Sequence, residues 1–226
     1  MYPVFVVVNQ QVIRAFFRSP PLRQPSSMRC PYCHSPGLET DAECRKCGFS
    51  IVKVGGLFGA VPFLIPGLSD LNELLTARER KRIGKRIASF ETRLPQTKLA
   101  VIVLSECPVD QISAYAFWLF NRGALWNELQ TDGANRNILL LVDTGRAKAS
   151  VVVGYGLEPF VGERHLSEAL AAARPVLGKG NYAAAIEVTL GHLEHILIDL
   201  ADNLVRAYGL DPKEVSPRPV VEEGVY

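Results

Sequence analysis

The sequence predicts an α/β protein: a three-layer α/β/α sandwich with a small mixed sheet, preceded by a small cysteine-rich module. Three observations carry that expectation. Leu99–Leu104 (LAVIVL) and Ile138–Val142 (ILLLV) are apolar at every position, the pattern of strands covered on both faces. Ala149–Val153 (ASVVV) follows after DTGRAK, whose glycine, threonine and charges suit a reversal between antiparallel strands. Segments of helical periodicity separate and follow these runs, so the first two strands are expected to be parallel and the third antiparallel.

Composition sets the scale. The 226 residues are 48% hydrophobic, enough for one substantial core and a small second module, and disorder of the whole chain is excluded. A net charge of +2, with the two signs almost balanced, gives no support for nucleic-acid binding or for a polybasic membrane patch.

Residues 1–28 form an N-terminal segment whose start, MYPVFVVVNQQVIRAFF, is apolar but lacks a basic leader and a small-residue cleavage site. No signal peptide is expected, and a cytoplasmic location follows as the expectation. An edge strand, a peripheral anchor and translation upstream of a start at Met28 all fit this segment.

Residues 29–50 contain two CxxC pairs, Cys30 with Cys33 and Cys44 with Cys47. Each pair makes a tight turn that aims two sulfurs at one point, and two facing turns complete a tetrahedral site for Zn²⁺. The segment resembles a small zinc ribbon, with one structural zinc expected. Two disulfides or a redox CxxC are the competing readings, and the ligand spacing favours zinc. Arg29, Arg45 and Lys46 flank the turns, where they can offset the charge of four thiolates. His34 reads as a bystander, and Cys107 as a small core residue.

Residues 51–66 read as an apolar linker rich in glycine and proline, lying on the domain surface. The apolar stretch from Val54 to Leu68 is shorter than the ~20 residues a membrane-spanning helix needs. Residues 67–209 are assigned to the α/β domain. Its first helix starts with a capping box, Thr76 with Glu79, and sets Ile83, Ile87, Phe90 and Leu94 on one stripe. The basic opposite face, Arg78 to Arg86, reads as solvated. Asp110 offers an N-cap for a helix through AYAFWLFNRGALW, whose aromatic residues are expected in the core. A helix from Arg164 to Leu177 ends at GKG, and Asn181 caps a longer one from Tyr182 to about Tyr208. His192 and His195, on that last helix, read as exposed. Residues 210–226 read as a flexible tail.

ILLLVD followed by VVVGYGLE, together with SDLNELLT upstream and GNYAAAIE downstream, resembles the TPM domain family. The resemblance implies the same α/β/α fold from about Gly67 to Gly209. It also implies an acidic cluster at one end of the sheet, able to hold a divalent ion. Carried over, the cluster comprises Asp70, Asn135 and Glu158, and weak calcium or magnesium binding is expected because an asparagine replaces the family's middle aspartate.

Some TPM proteins are described as weak acid phosphatases, others as assembly or repair factors. The sequence offers no P-loop, nucleophile elbow or phosphate-cradling cysteine loop, so no catalytic residue is assigned. The expectation is a non-catalytic, metal-binding protein in which the ribbon docks and the TPM domain binds a protein partner, with a weak divalent-metal-dependent phosphatase as the alternative. No nucleic-acid partner is expected, and no spanning segment supports membrane association.

Overall fold

A computed structural model describes residues 27–38, 41–126, 136–158 and 160–207. Contacts divide the chain into two units, residues 25–196 and the segments 1–24 and 197–226 taken together. The fold below is that of the first unit, except where the last helix runs on to its end.

A two-stranded antiparallel hairpin, β1 (Ser27–Arg29) with β2 (Pro36–Leu38), opens the described chain and carries the first CxxC pair at its turn. A single helical turn, α1 (Gly55–Phe58), follows in the linker. The main sheet has the order β3 (Leu68–Asp70), β4 (Leu99–Leu104), β5 (Ile138–Asp143), β6 (Lys148–Val153). The first three strands are parallel and β6 returns antiparallel to β5, with Ile138 opposite Val153 and Asp143 opposite Lys148. The mixed sheet expected from the sequence is therefore present, with one strand more. β3 escaped notice because three residues are too few to show a period, and its Leu68 and Asp70 are only half-buried.

Every residue of β4 and β5 is buried, so both faces of the sheet are covered. One face, with Ala100, Ile102, Leu104, Leu139 and Leu141, packs against α3 (Ile112–Arg122). The other is covered by α2 (Ala77–Arg93), which buries Ile83, Ile87 and Phe90 along the expected stripe. α2 begins with the capping box read from the sequence: Thr76 Oγ1 accepts from the Glu79 N–H at 3.3 Å, and Glu79 Oε2 accepts from the Thr76 N–H at 2.8 Å. α4 (Glu163–Leu177) contacts β6, and α5 (Tyr182–Ala207) closes the described chain. Asn181 Oδ1 caps α5 by accepting from the Ala184 N–H at 3.1 Å.

The basic face of α2 is tied to α5. Arg86 bonds both oxygens of Glu194, at 2.8 and 3.3 Å, Arg93 reaches the same carboxylate at 3.4 Å, and Arg82 pairs with Glu187. Glu194 is buried, and two guanidiniums offset the cost of desolvating it. Two of the six cations in what reads as a solvated stripe, Arg82 and Arg86, are thus part of a helix–helix contact and Arg80 pairs with Asp70, while Arg78, Lys81 and Lys85 are exposed.

Asp110 is not an N-cap. Gln111 occupies that position without a side-chain bond, and Asp110 lies 3.4 Å from Arg146 instead. α3 also stops at Arg122, short of Trp126, with Gly123 at its C-cap. A Cβ on Gly123 would sit 2.5 Å from the Leu119 carbonyl oxygen and 2.7 Å from Leu64 Cδ1, so the chain turns where only glycine fits.

Of the five aromatics expected in the core, Tyr115, Trp118 and Phe120 are buried, and Phe117 and Trp126 pack half-buried against the same cluster. What buries two of them is the linker. Phe58 of α1 meets Tyr115 and Trp118 edge-on at centroid distances of 5.6 and 5.5 Å. Val54 and Phe58 anchor the linker, whereas Val52, Leu57 and Phe63 stay exposed. Among the described residues, no helix is long and apolar enough to cross a membrane.

Candidate metal centre

Two equivalent knuckles build the site. In the first, the Cys30 N–H donates to the Ser35 carbonyl at 2.9 Å and the His34 N–H to the Cys30 carbonyl at 2.9 Å. In the second, the Cys44 N–H donates to the Phe49 carbonyl at 2.8 Å and the Gly48 N–H to the Cys44 carbonyl at 2.8 Å. Both turns need a left-handed residue at the same place, supplied by His34 (φ 57°) and Gly48 (φ 71°). His34 thus has a backbone role that its side chain did not advertise.

The knuckles bring four sulfurs together. All four Sγ atoms lie within 4.8 Å of one another, with Cys30 to Cys47 and Cys33 to Cys44 both at 3.7 Å. A Zn–S bond of about 2.3 Å implies an edge of roughly 3.8 Å in a sulfur tetrahedron, so these residues fit the ion. The four are free thiols, which sets aside the two-disulfide reading for this structure.

Backbone N–H groups point at the sulfurs, as a thiolate site requires. Cys30 accepts from Tyr32 and Cys33, Cys33 from Ser35, Cys44 from Lys46 and Cys47, and Cys47 from Phe49. The thiols respond unequally. The Ser35 hydroxyl, with the N–H groups of Cys47 and Lys46, pulls Cys44 down to about 6. Ser35 also lowers Cys33. Burial raises Cys30, and lost hydration together with the neighbouring sulfurs pushes Cys47 up to about 12. Crowding lets the first thiolates form and opposes the last, a conflict that a central dication removes. The flanking cations contribute less than their positions suggest, since Arg29 pairs with Glu163 and Arg45 with Asp41.

The cluster does not stand apart from the sheet domain. Cys30, Phe49, Val54 and Phe58 share one apolar core with Tyr115, Trp118 and the α3-facing side of β4 and β5. Phe49 stacks on Tyr32 and lies 6.4 Å from Phe117, and Ser113 Oγ donates to the Pro31 carbonyl at 2.7 Å.

Asp70 and Glu158, two residues of the expected acidic set, are not brought together. Asp70 ends β3 opposite Val103, toward the carboxyl ends of the parallel strands. Glu158 is exposed in a turn beyond Val153, which pairs with Ile138 at the amino end of β5. Strand register therefore sets the two carboxylates at opposite edges of the sheet, and Asn135 lies outside the described residues. Asp70 is also occupied: Oδ1 accepts from the Leu74 N–H at 2.9 Å, while Oδ2 accepts from the Leu75 N–H at 3.0 Å and from Arg80 Nε at 3.0 Å. It braces the loop before α2.

A polar cluster that the sequence reading missed sits at the carboxyl edge. Asp143, fully buried, accepts from the Cys107 N–H at 2.9 Å and from Arg146 through both its backbone and its guanidinium at 3.0 Å. Burial alone would raise the Asp143 carboxyl, but these donors outweigh it and hold it below its ordinary value. Arg146 also reaches Glu106 at 3.0 Å. Burial pushes the Cys107 thiol up to about 12, which agrees with an inert core cysteine. A charge placed directly after an apolar strand, ILLLVD, was the available signal.

The TPM domain family model matches residues 68–195, more than half of the chain. The chain belongs to the TPM domain family. Among solved structures, the BA42 protein of Bizionia argentinensis has 16% identity and a TM-score of 0.50, over 57% of this chain and 86% of that one. The N-terminal domain of a P. gingivalis protein has 17% identity and a TM-score of 0.46, covering 65% and 87%. At such identities the BA42 likeness concerns the fold alone. No curated protein matches the chain. The cysteine knuckles precede the matched TPM region and pack on its α3 face.

Proposed function

We propose that this protein is a non-catalytic, zinc-binding member of the TPM family that presents its cysteine ribbon and TPM domain to a protein partner. The observation that carries the metal reading is the convergence of Cys30, Cys33, Cys44 and Cys47 with sulfur-to-sulfur distances suited to one tetrahedral ion. When bound, zinc would supply cross-linking rather than chemistry, because all four ligands come from the chain and leave no open position for a substrate. The partner reading is supported by the exposure of Val52, Leu57 and Phe63 in the linker that follows the cysteine module.

The alternative, a weak divalent-metal-dependent phosphatase, needs a nucleophile and a metal with open coordination. The test compares p-nitrophenyl phosphate hydrolysis by wild type and Glu158→Ala with and without Mg²⁺ or Ca²⁺, alongside metal analysis of the purified chain. About one zinc per chain and equal background hydrolysis are expected. Divalent-dependent hydrolysis lost in Glu158→Ala would replace this reading with the phosphatase one. Partner capture is compared between wild type and Cys44→Ser, and a partner that binds both equally would exclude the metal module from recognition.

A further inference from the structure

The two knuckles are backbone equivalents, and the residue that closes each one differs: Ser35 in the first, Phe49 in the second. The closing hydrogen bond uses only a carbonyl, which any residue supplies. The side chains must therefore be explained separately. Phe49 is buried against Tyr32 and Phe117, anchoring its knuckle to α3. Ser35 turns the other way: its Oγ lies 3.0 Å from Cys33 Sγ and 3.3 Å from Cys44 Sγ, one sulfur from each knuckle.

We propose that Ser35 is a positioning residue of the metal centre, its hydroxyl donating in turn to the sulfurs of Cys33 and Cys44 and so holding the two knuckles in register for the ion. This rests on the zinc reading above. A thiolate is an acceptor only, so in the loaded site the hydroxyl must be the donor, and its single proton serves one sulfur at a time. The bond draws charge from the sulfur it touches, in a cluster whose four thiolates exceed the ion's charge by two. It also couples the knuckles by a contact that the backbone N–H bonds, all local to one knuckle, do not provide. Outer partners of this kind commonly change metal affinity by roughly tenfold to hundredfold.

The experiment titrates the metal-free full chain with Zn²⁺ against a chromophoric chelator, and with Co²⁺ followed by absorbance, for wild type, Ser35→Ala and Ser35→Thr. Wild type is expected to bind one Co²⁺ with tetrahedral bands and strong sulfur-to-cobalt charge transfer. Ser35→Ala should bind Zn²⁺ roughly tenfold to hundredfold more weakly, with the charge-transfer absorption moved to longer wavelength because an unbonded thiolate is easier to oxidise. Ser35→Thr should restore both. Thermal unfolding of the three metal-free proteins should coincide, since the role is exerted through the loaded site. Ser35→Ala matching wild type in affinity and spectrum, or losing affinity with an unshifted spectrum, would overturn the proposal. Wild type binding no cobalt at the cysteines would instead remove the zinc reading itself, and the role of Ser35 with it.

Discussion

Asp143 and Arg146 close the tip of the β5–β6 hairpin on each other. The guanidinium Nη1 donates to Oδ2 at 3.0 Å, and the Arg146 backbone N–H donates to Oδ1 at 3.0 Å. The same Nη1 lies 2.8 Å from the Cys107 carbonyl, so the pair also fastens the loop after β4. Arg146→Met should leave a buried carboxylate short of its countercharge and destabilise the fold by about 3 kcal/mol. Urea denaturation at neutral pH measures it.

The same pair sets a pH dependence. In the folded chain the Asp143 carboxyl sits below its ordinary value, so it protonates more readily in the unfolded chain. Its contribution is therefore complete above the unfolded value of about 4 and is lost as pH falls through the lower folded value. Asp143→Asn should flatten the acid limb of the stability–pH curve below about pH 4. An unchanged limb would show that other carboxylates dominate it.

His34 and Gly48 occupy matching left-handed positions, but only glycine does so without steric cost. His34→Gly is expected to stabilise the metal-loaded protein by about 0.5–1 kcal/mol, and Gly48→Ala to destabilise it by about 1 kcal/mol. Opposite changes in the thermal midpoint check both, and a fall with His34→Gly would assign the imidazole a contact worth more than the backbone strain.

Asp70 satisfies two backbone N–H groups and Arg80. Asp70→Ala should cost about 2 kcal/mol, because partly buried donors lose their acceptor. Calorimetric titration of Ca²⁺ into wild type and Glu158→Ala should give the same heat, as these residues lie at opposite sheet edges.

Metal removal should be felt beyond the cysteines. A ribbon this small has little core of its own, so if it stood alone, chelation would unfold it locally and spare the TPM domain. The packing of Phe49, Val54 and Phe58 on α3 alters that outcome. Chelation should redden and weaken Trp118 fluorescence and raise amide exchange across Ile112–Arg122. Exchange confined to residues 29–50 would show that the contact with α3 survives without metal.

Much of this was legible locally. The capping box at Thr76 and Glu79, the two apolar strands, the β5–β6 reversal and the CxxC ligands all depend on residues close in sequence, where period and spacing record the physics directly. Asp110 was misread because an aspartate before a helical pattern is a sound cap signal, but the helix starts at Ile112 with Gln111 at the N-cap, one residue later than that signal implies, and Asp110 faces Arg146 of the hairpin.

The sequence by itself determined the layers, the order of the long strands and the four cysteines that converge, because these follow from side-chain periodicity and from the geometry of a short turn. Tertiary structure alone decided that Asp70 and Glu158 stand at opposite sheet edges, that the linker covers the aromatic face of α3, and that Ser35 reaches a sulfur of the other knuckle. Each of those depends on which strands pair and in what direction, or on a contact between distant segments. Such pairings arise from packing the whole core at once, and no local pattern encodes them.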